Sequence, residues 1–295
     1  MIKEVLKKEF KQECENKDFY LTIKNREKYT PDPKLSLFQK IKIGLHPLKN
    51  PYSPFIYPIR KKTNYYYNYR LLNDIDLAKS FKDFYFSKVN IKSKDINILD
   101  FGCGQGRTIA ILNQLGFENI VGQDILHFEY WKKLKSSFLK IPLGYKDFYP
   151  YQEDSFDIAF SFQVHMYLND ELLQNHINNI AKILKNGGYF IFEDRNENML
   201  NPEIYLKNKD CPFIHKRNRV LQLLEKNDLK VIEEKTYGIT SKHFNNFNQI
   251  AQSLIVKKEK FDIFSYRNKS WFDSYLSKKI PKGREPLHLF VCQKK

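Results

Sequence analysis

Residues 98–108 read ILDFGCGQGRT. A short apolar run closes on an acid, and glycines then stand at 102, 104 and 106, separated by Cys103 and Gln105. The run extends back through INILDFG and has the continuous hydrophobicity of a strand buried on both faces. RTIAILNQLG follows with the spacing of a short helix that Gly116 ends. Strand, glycine turn and helix in that order form a cradle. Glycine lets the main chain approach another group and take φ > 0, and the first turn of the helix offers N–H groups without intrahelical partners. The alternative is an ordinary tight turn.

Outward from this loop the same alternation repeats. NIVGQD and FDIAFSF read as strands, and DELLQNHINNIAKILKNGG reads as a helix. Its apolar face comprises Leu172, Leu173, His176, Ile177, Ile180, Ile183 and Leu184, with Gly187 as its stop. YFIFED is a strand, IHKRNRVLQLLEKND a helix, LKVIEEKTY a strand, and PLHLFVC a last strand. Strands alternating with helices predict a parallel α/β sheet with helices on both faces. Tyr65 to Lys88 has helical spacing, while residues 1–30 read as a polar helix or a loose arm. Six prolines in residues 31–60 forbid long regular elements there. The expected organisation is a basic, aromatic, proline-rich extension over residues 1–75 and a domain over 76–295. An inserted, mainly helical lid or substrate segment is expected near 239–285.

Two ligand types compete for the loop. A dinucleotide fingerprint is GxGxxG or GxGxxA. Here the spacing is GxGxG, and Arg107 stands where the third dinucleotide glycine would allow close helix–strand packing. An acid followed by GxGxG resembles the first motif of class I S-adenosylmethionine-dependent methyltransferases, carried here by Asp100, Gly102, Gly104 and Gly106. KDFYPYQEDSFD is similar to a second stretch of that family, LKNGGYFIFED to its helix, Gly-Gly turn and fifth strand, and PLHLFVCQKK to its antiparallel seventh strand. The resemblance spans roughly residues 76–240 and the last strand. It implies a Rossmann-like, seven-stranded, mostly parallel sheet whose last strand is antiparallel. It also implies S-adenosyl-L-methionine as methyl donor and S-adenosyl-L-homocysteine as product. Asp100 would lie near the ammonium of the methionine moiety, and Asp124, at the end of NIVGQD, would accept the ribose hydroxyls. Ile125 would flank the ribose, Asp147 would take the adenine amino group, and Phe148 would lie beside the ring. Ser161 would line the site from the fourth strand, and Arg70 would approach the methionine end. Lys146 stands where the family usually has glycine, and the spacing from Asp147 to Phe156 is two residues short.

Methyl transfer from a sulfonium mainly requires alignment of the acceptor, and a hydroxyl acceptor must also lose its proton. Candidate groups follow the fourth and fifth strands: Gln163, His165 and Tyr167, then Glu193, Asp194 and Arg195. His165 is the expected general base with Asp194 assisting, because histidine titrates near neutrality; a structural histidine packed beside Met166 is the alternative. Glu193 and Asp194 could also cap a loop, and no metal site is expected. SFQVHMY contains no NPPY or DPPY tetrapeptide, which argues against methylation of a DNA base nitrogen.

The formal charge is +16. Lysine outnumbers arginine 41 to 9, and arginine is the usual reader of phosphates and bases. An AT-rich genome explains such a surplus without a nucleic-acid partner. The distribution is uneven, however: from Lys34 to Asn73 there are eight basic residues and no acid. That stretch interleaves Phe38, Tyr52, Phe55, Tyr57 and Tyr65 with lysines, as a pocket for an anionic acceptor would; a core-packing extension with a solvated rim is the alternative. Cys14, Cys103, Cys211 and Cys292 form no CxxC pair, which suggests reduced thiols and a cytoplasmic location. No apolar run approaches the ~18 residues of a membrane-spanning helix. The expected function is O-methylation of an anionic small molecule such as a sugar, nucleotide sugar or glycan precursor. The alternatives are an RNA or protein methyltransferase using the basic arm, and a non-catalytic binding subunit of the same fold.

Overall fold

The computed structural model describes residues 2–10, 21–22, 81–104, 106–127, 131, 134–141, 148–199, 213–237, 283 and 287–295. Arg70, Asp147, the stretch 34–70 and, Gly283 aside, the insertion 239–285 lie outside the described residues.

Eight strands in the described residues form one sheet: β1 (Leu21–Thr22), β2 (Ile98–Phe101), β3 (Ile120–Asp124), β4 (Ser137–Lys140), β5 (Phe156–Phe162), β6 (Leu184–Arg195), β7 (Leu229–Tyr237) and β8 (Leu287–Lys294). Their spatial order is β1-β4-β3-β2-β5-β6-β8-β7. Strands β4, β3, β2, β5 and β6 are mutually parallel, and β8 runs antiparallel between β6 and β7. This is the expected seven-stranded sheet, with β1 added as a two-residue antiparallel edge on β4. All four residues of β2 are buried, as a central parallel strand requires.

The described residues include the helices α1 (Ile2–Val5), α2 (Arg107–Gln114), α3 (Asp170–Ile183) and α4 (Arg217–Lys226). They divide the core into two layers. Leu173, Ile177 and Ile180 of α3 and Val220, Leu223 and Leu224 of α4 bury one sheet face with Leu99, Phe101 and Phe192. Ile109, Ala110 and Leu112 of α2 bury the other with Ile98, Phe160, Trp131 and Phe81. Residues 81–85, inside the span read as helical, are helical. Among the described residues no helix is long and apolar enough to cross a membrane.

Three local readings change. Residues 2–5 and 8–10 are helical, as one of the two expected alternatives has it, but they are not wholly polar or loose: Val5, Leu6 and Phe10 are buried in the α3 layer, and Leu6 forms an antiparallel bridge to Tyr151. The apolar positions 5, 6 and 10 are too few for a sequence pattern but enough to seal the end of a layer. Second, α3 stops at Ile183 rather than at Gly187, because Leu184 turns extended and pairs with Phe156 at the start of β5; strand pairing overrides local helix propensity here. Asn169 caps α3 by accepting from the N–H of Leu172 at 2.8 Å, and Leu172 itself is half exposed. Third, SFLK forms β4 where no strand is expected, because it shows no alternation of apolar and polar positions.

The chain builds outward from β2 to β3 and β4, then returns to add β5 and β6 on the other side. That reversal opens a crevice beyond the carboxyl ends of β2 and β5, where open α/β sheets bind ligands.

Candidate functional site

The glycine loop forms one wall of this crevice. The N–H groups of Gly102 and Cys103 both donate to the carbonyl of Gln123, at 2.8 and 3.0 Å, and Gly106 N–H donates to Cys103 at 2.8 Å. The loop is thereby tied to the end of β3. A side chain at Gly102, whose φ is +72°, would bring its Cβ to 2.3 Å from Val164 Cγ2. At Gly106 the Cβ would meet Leu134 Cδ1 at 2.4 Å. At Gly104, φ +51°, it would meet nothing within 4 Å. The outer glycines make room for protein, and the middle one faces open space. A Gly102→Ala chain should therefore melt measurably lower, losing about 1–2 kcal/mol to the left-handed backbone alone with the Val164 contact added. Gly104→Ala should melt closer to the wild type, and its defect should appear on ligand titration. Equal melting losses in the two variants would contradict this division.

Two carboxylates flank the loop. Asp124 Oδ2 accepts from Gly104 N–H at 2.8 Å, and Oδ1 from Leu126 N–H at 3.0 Å. Burial raises its pKa, and the N–H groups of Leu126, Gly104 and Ile125 oppose that by favouring the ionised form. Ile125 beside it is 36% exposed. Asp100 is buried, and its Oδ2 has no partner among the described residues. Burial, and after it the charge of Asp124, push its pKa up to about 8. An acid so placed is neutral at pH 7 until a cation lies beside it.

Gln123 joins the loop to the next wall, a role the sequence did not suggest. Fully buried, it donates through Nε2 to the carbonyl of Phe148 at 2.8 Å and accepts through Oε1 from Tyr151 Oη at 2.7 Å. A glutamine inside an otherwise apolar strand was the available signal. The Phe148 ring packs edge-on against Phe101 at 5.8 Å. Tyr149 stacks on the same ring at 5.2 Å and 6° and meets His176 Nδ1 through its hydroxyl at 2.7 Å. His176 Nε2 lies 3.1 Å from Ser161 Oγ. Ser161 is thus held under α3, fully buried. Burial, and then the charge of His165, lower the pKa of His176, so it works as a neutral hydrogen-bonding link.

Beyond β5 the backbone of Gln163 takes φ +57°, a conformation uncommon outside glycine, and leads into a 3₁₀ turn over His165–Tyr167. This turn places His165 Nδ1 3.4 Å from Asp194 Oδ2. The imidazole is fully buried, with its ring 4.8 Å from Phe192 and 5.2 Å from His176. Its Nε2 has no partner among the described residues. His215 Nε2 meets the His165 carbonyl at 3.0 Å. Asp194 Oδ1 accepts from the Arg195 N–H at 2.7 Å, and the Arg195 guanidinium rests on Met166 Sδ at 3.2 Å. Glu193 faces the opposite side of the sheet, buried, and accepts from the hydroxyl of Tyr85. Tyr167 is half exposed. Among the described residues no group of three or more His, Cys, Asp or Glu could hold a metal ion.

The family described as methyltransferase domain matches residues 99–192. By sequence alone the chain matches no curated protein. A geranyl diphosphate C-methyltransferase from Streptomyces coelicolor A3(2), solved with Mg2+, geranyl diphosphate and S-adenosyl-L-homocysteine, is similar in fold. Its TM-score is 0.50 and its identity 15%, over 86% of this chain and 87% of that one. A methyltransferase from Archaeoglobus fulgidus described as dependent on S-adenosylmethionine gives 0.49 at 14% identity, covering 78% of this chain and 99% of that one. Such identities show the arrangement of the sheet.

Proposed function

We propose that the chain, whose residues 99–192 match the methyltransferase domain family, is a class I S-adenosylmethionine-dependent methyltransferase that methylates an oxygen of an anionic small molecule, such as a sugar, a nucleotide sugar or a glycan precursor. The observation that carries the donor site is the pair formed by the open face of Gly104 and the unpartnered, buried Oδ2 of Asp100. A cradle without a side chain and an acid without a partner suit a ligand that brings both bulk and positive charge. S-adenosylmethionine supplies an electrophilic methyl group on a sulfonium together with an ammonium. Asp100 would hold the ammonium. The lone pairs of Asp124 not used by Gly104 and Leu126 would take the ribose hydroxyls, with Ile125 and Phe148 beside them. Asp147 and Arg70 complete the proposed set, and Ser161 would act through His176 and Tyr149 on the wall that carries Phe148.

His165 is the proposed base. With its Nδ1–H turned toward Asp194, Nε2 carries the lone pair that can take a proton. Support for an anionic acceptor comes from the acid-free basic stretch between Lys34 and Asn73. Its part from Lys34 to Arg70 is proposed to pack over the carboxyl edge of the sheet and cover the cofactor pocket, with Arg70 or a neighbouring tyrosine near the methionine end. A cytoplasmic location goes with the buried free thiols of Cys103 and Cys292.

Calorimetric titration with S-adenosylmethionine and S-adenosylhomocysteine, followed by a methyl-transfer screen over nucleotide sugars, other anionic metabolites and RNA, tests the proposal. Binding of the donor with transfer to a hydroxyl of a small anion is expected. Transfer to RNA alone would replace the acceptor class, and absence of donor binding would end the reading.

The acid near the ammonium has a consequence for pH. Ligand-free Asp100, with its pKa raised to about 8, is protonated in most molecules at pH 7. A bound cation requires the carboxylate, so binding releases a proton, and affinity rises with pH from about 5.5 to 7.5, below the titration of an α-amino group. The fold responds in the opposite sense. A carboxyl whose folded pKa is raised contributes stability below its unfolded value, and that contribution is lost as pH climbs toward about 8. Calorimetry in buffers of different ionisation enthalpy measures the released proton. Asp100→Asn should remove both the proton and the pH slope; a wild-type affinity flat across that range would refute the assignment.

A further inference from the structure

Trp131 belongs to neither the strand–loop–helix motif nor the polar chain under α3, yet it touches the centre of the cradle. Its indole Nε1–H donates to the carbonyl of Gly104 at 2.7 Å; among the described residues the Cys103 thiol also approaches that carbonyl, weakly, at 3.7 Å. The ring is fully buried, stacked on Phe138 at 4.8 Å and 13° and met edge-on by His127 at 5.5 Å. Phe138 and Leu134 also close on Gly106. One aromatic wall therefore supports both the middle and the end of the loop.

Gly104 has no side chain, so its two backbone torsions are softer than those of its neighbours. The amide on its N-terminal side is fixed by Asp124 Oδ2 at 2.8 Å, and the amide on its C-terminal side by Trp131. With both planes held, φ and ψ are held. The carbonyl stays turned into protein, the N–H stays on Asp124, and the open face stays clear.

Resting on the reading that this loop cradles S-adenosylmethionine, we propose that Trp131 is a positioning residue for that ligand. Its indole N–H keeps Gly104 in the binding geometry and, through the Gly104 N–H, keeps Asp124 aimed at the ribose. In a Trp131→Phe chain the ring still packs on Phe138, but the Gly104 carbonyl loses its principal donor. Against the buried Trp131 site, a carbonyl left without a partner is costly. In the ligand-free protein a turn of Gly104 relieves that cost, and binding must undo the turn. The effect therefore falls on affinity.

The test uses the full chain and S-adenosylhomocysteine as probe. Trp131→Phe should raise its dissociation constant about 5- to 30-fold and shrink the rise in melting temperature that saturating ligand produces. A purely structural tryptophan would lower the melting temperature with and without ligand alike, leaving that rise and the dissociation constant unchanged, and this result would overturn the proposal. The wild type gives a second measurement that needs no core substitution. The chain has two tryptophans, Trp131 and Trp271, so Trp271→Phe assigns the indole N–H resonances. The Trp131 resonance should shift on saturation; a bound protein in which it stays put would overturn the proposal equally. Wild-type protein that binds neither S-adenosylmethionine nor S-adenosylhomocysteine would instead remove the donor site on which the proposal rests.

Discussion

His165→Ala should slow methyl transfer about 10²- to 10⁴-fold while leaving donor affinity near the wild-type value. That is roughly 3–5 kcal/mol in the barrier. The expectation rests on a histidine held through Nδ1 by Asp194 and presenting a partnerless Nε2 among the described residues. Because His165 is fully buried against Phe192 and His176, alanine also leaves a cavity, so the melting temperature must be read beside the rate. His165→Gln, closer in volume, separates the two: it should keep the fold and lose the rate. Asp194→Asn should lower the rate as well, because the asparagine no longer stabilises the imidazolium that forms when the proposed base takes its proton. A His165→Gln enzyme turning over normally would assign the histidine to packing alone.

Asp124→Ala should weaken S-adenosylmethionine binding by about 10- to 150-fold, the equivalent of 1.5–3 kcal/mol for hydrogen bonds to a charged group. Two losses combine. The ribose hydroxyls lose their acceptors, and the N–H groups of Gly104 and Leu126 lose theirs. Asp124→Asn distinguishes them, since its carbonyl oxygen can still accept from one backbone group. Its defect should therefore be smaller than that of alanine. An unchanged dissociation constant for the alanine variant on calorimetry would separate the donor site from the end of β3.

The glycine loop, its two flanking acids and the alternation of strands with helices around it were legible in the sequence because each depends on local rules. Continuous apolar runs mark buried parallel strands. Glycine at 102, 104 and 106 marks a main chain under steric demand. Even the meeting of His165 with Asp194 followed from topology, since His165 lies just past the end of β5 and Asp194 near the end of the neighbouring, parallel β6. β4 was missed because SFLK, as short as β2, lacks the GxGxG loop and the helical pattern that mark β2 as a strand. The end of α3 was misplaced because the pairing of Leu184 with Phe156 is invisible to a helical pattern.

What sequence alone determined, then, is the alternating strand–helix frame, the glycine loop and the two acids beside it. Which buried polar groups converge on that crevice was decided only by the tertiary structure. Trp131 reaches Gly104 across 27 residues, Tyr151 reaches Gln123 across 28, and His176 reaches Ser161 across 15. Glu193 and Asp194 are adjacent in the chain, yet one meets Tyr85 and the other His165, because successive strand residues point to opposite faces. Periodicity reports which face a side chain occupies relative to its own neighbours. A hydrogen bond depends on which remote segment is packed against that face, and packing brings such segments together through apolar burial that leaves no mark beside the polar residue itself.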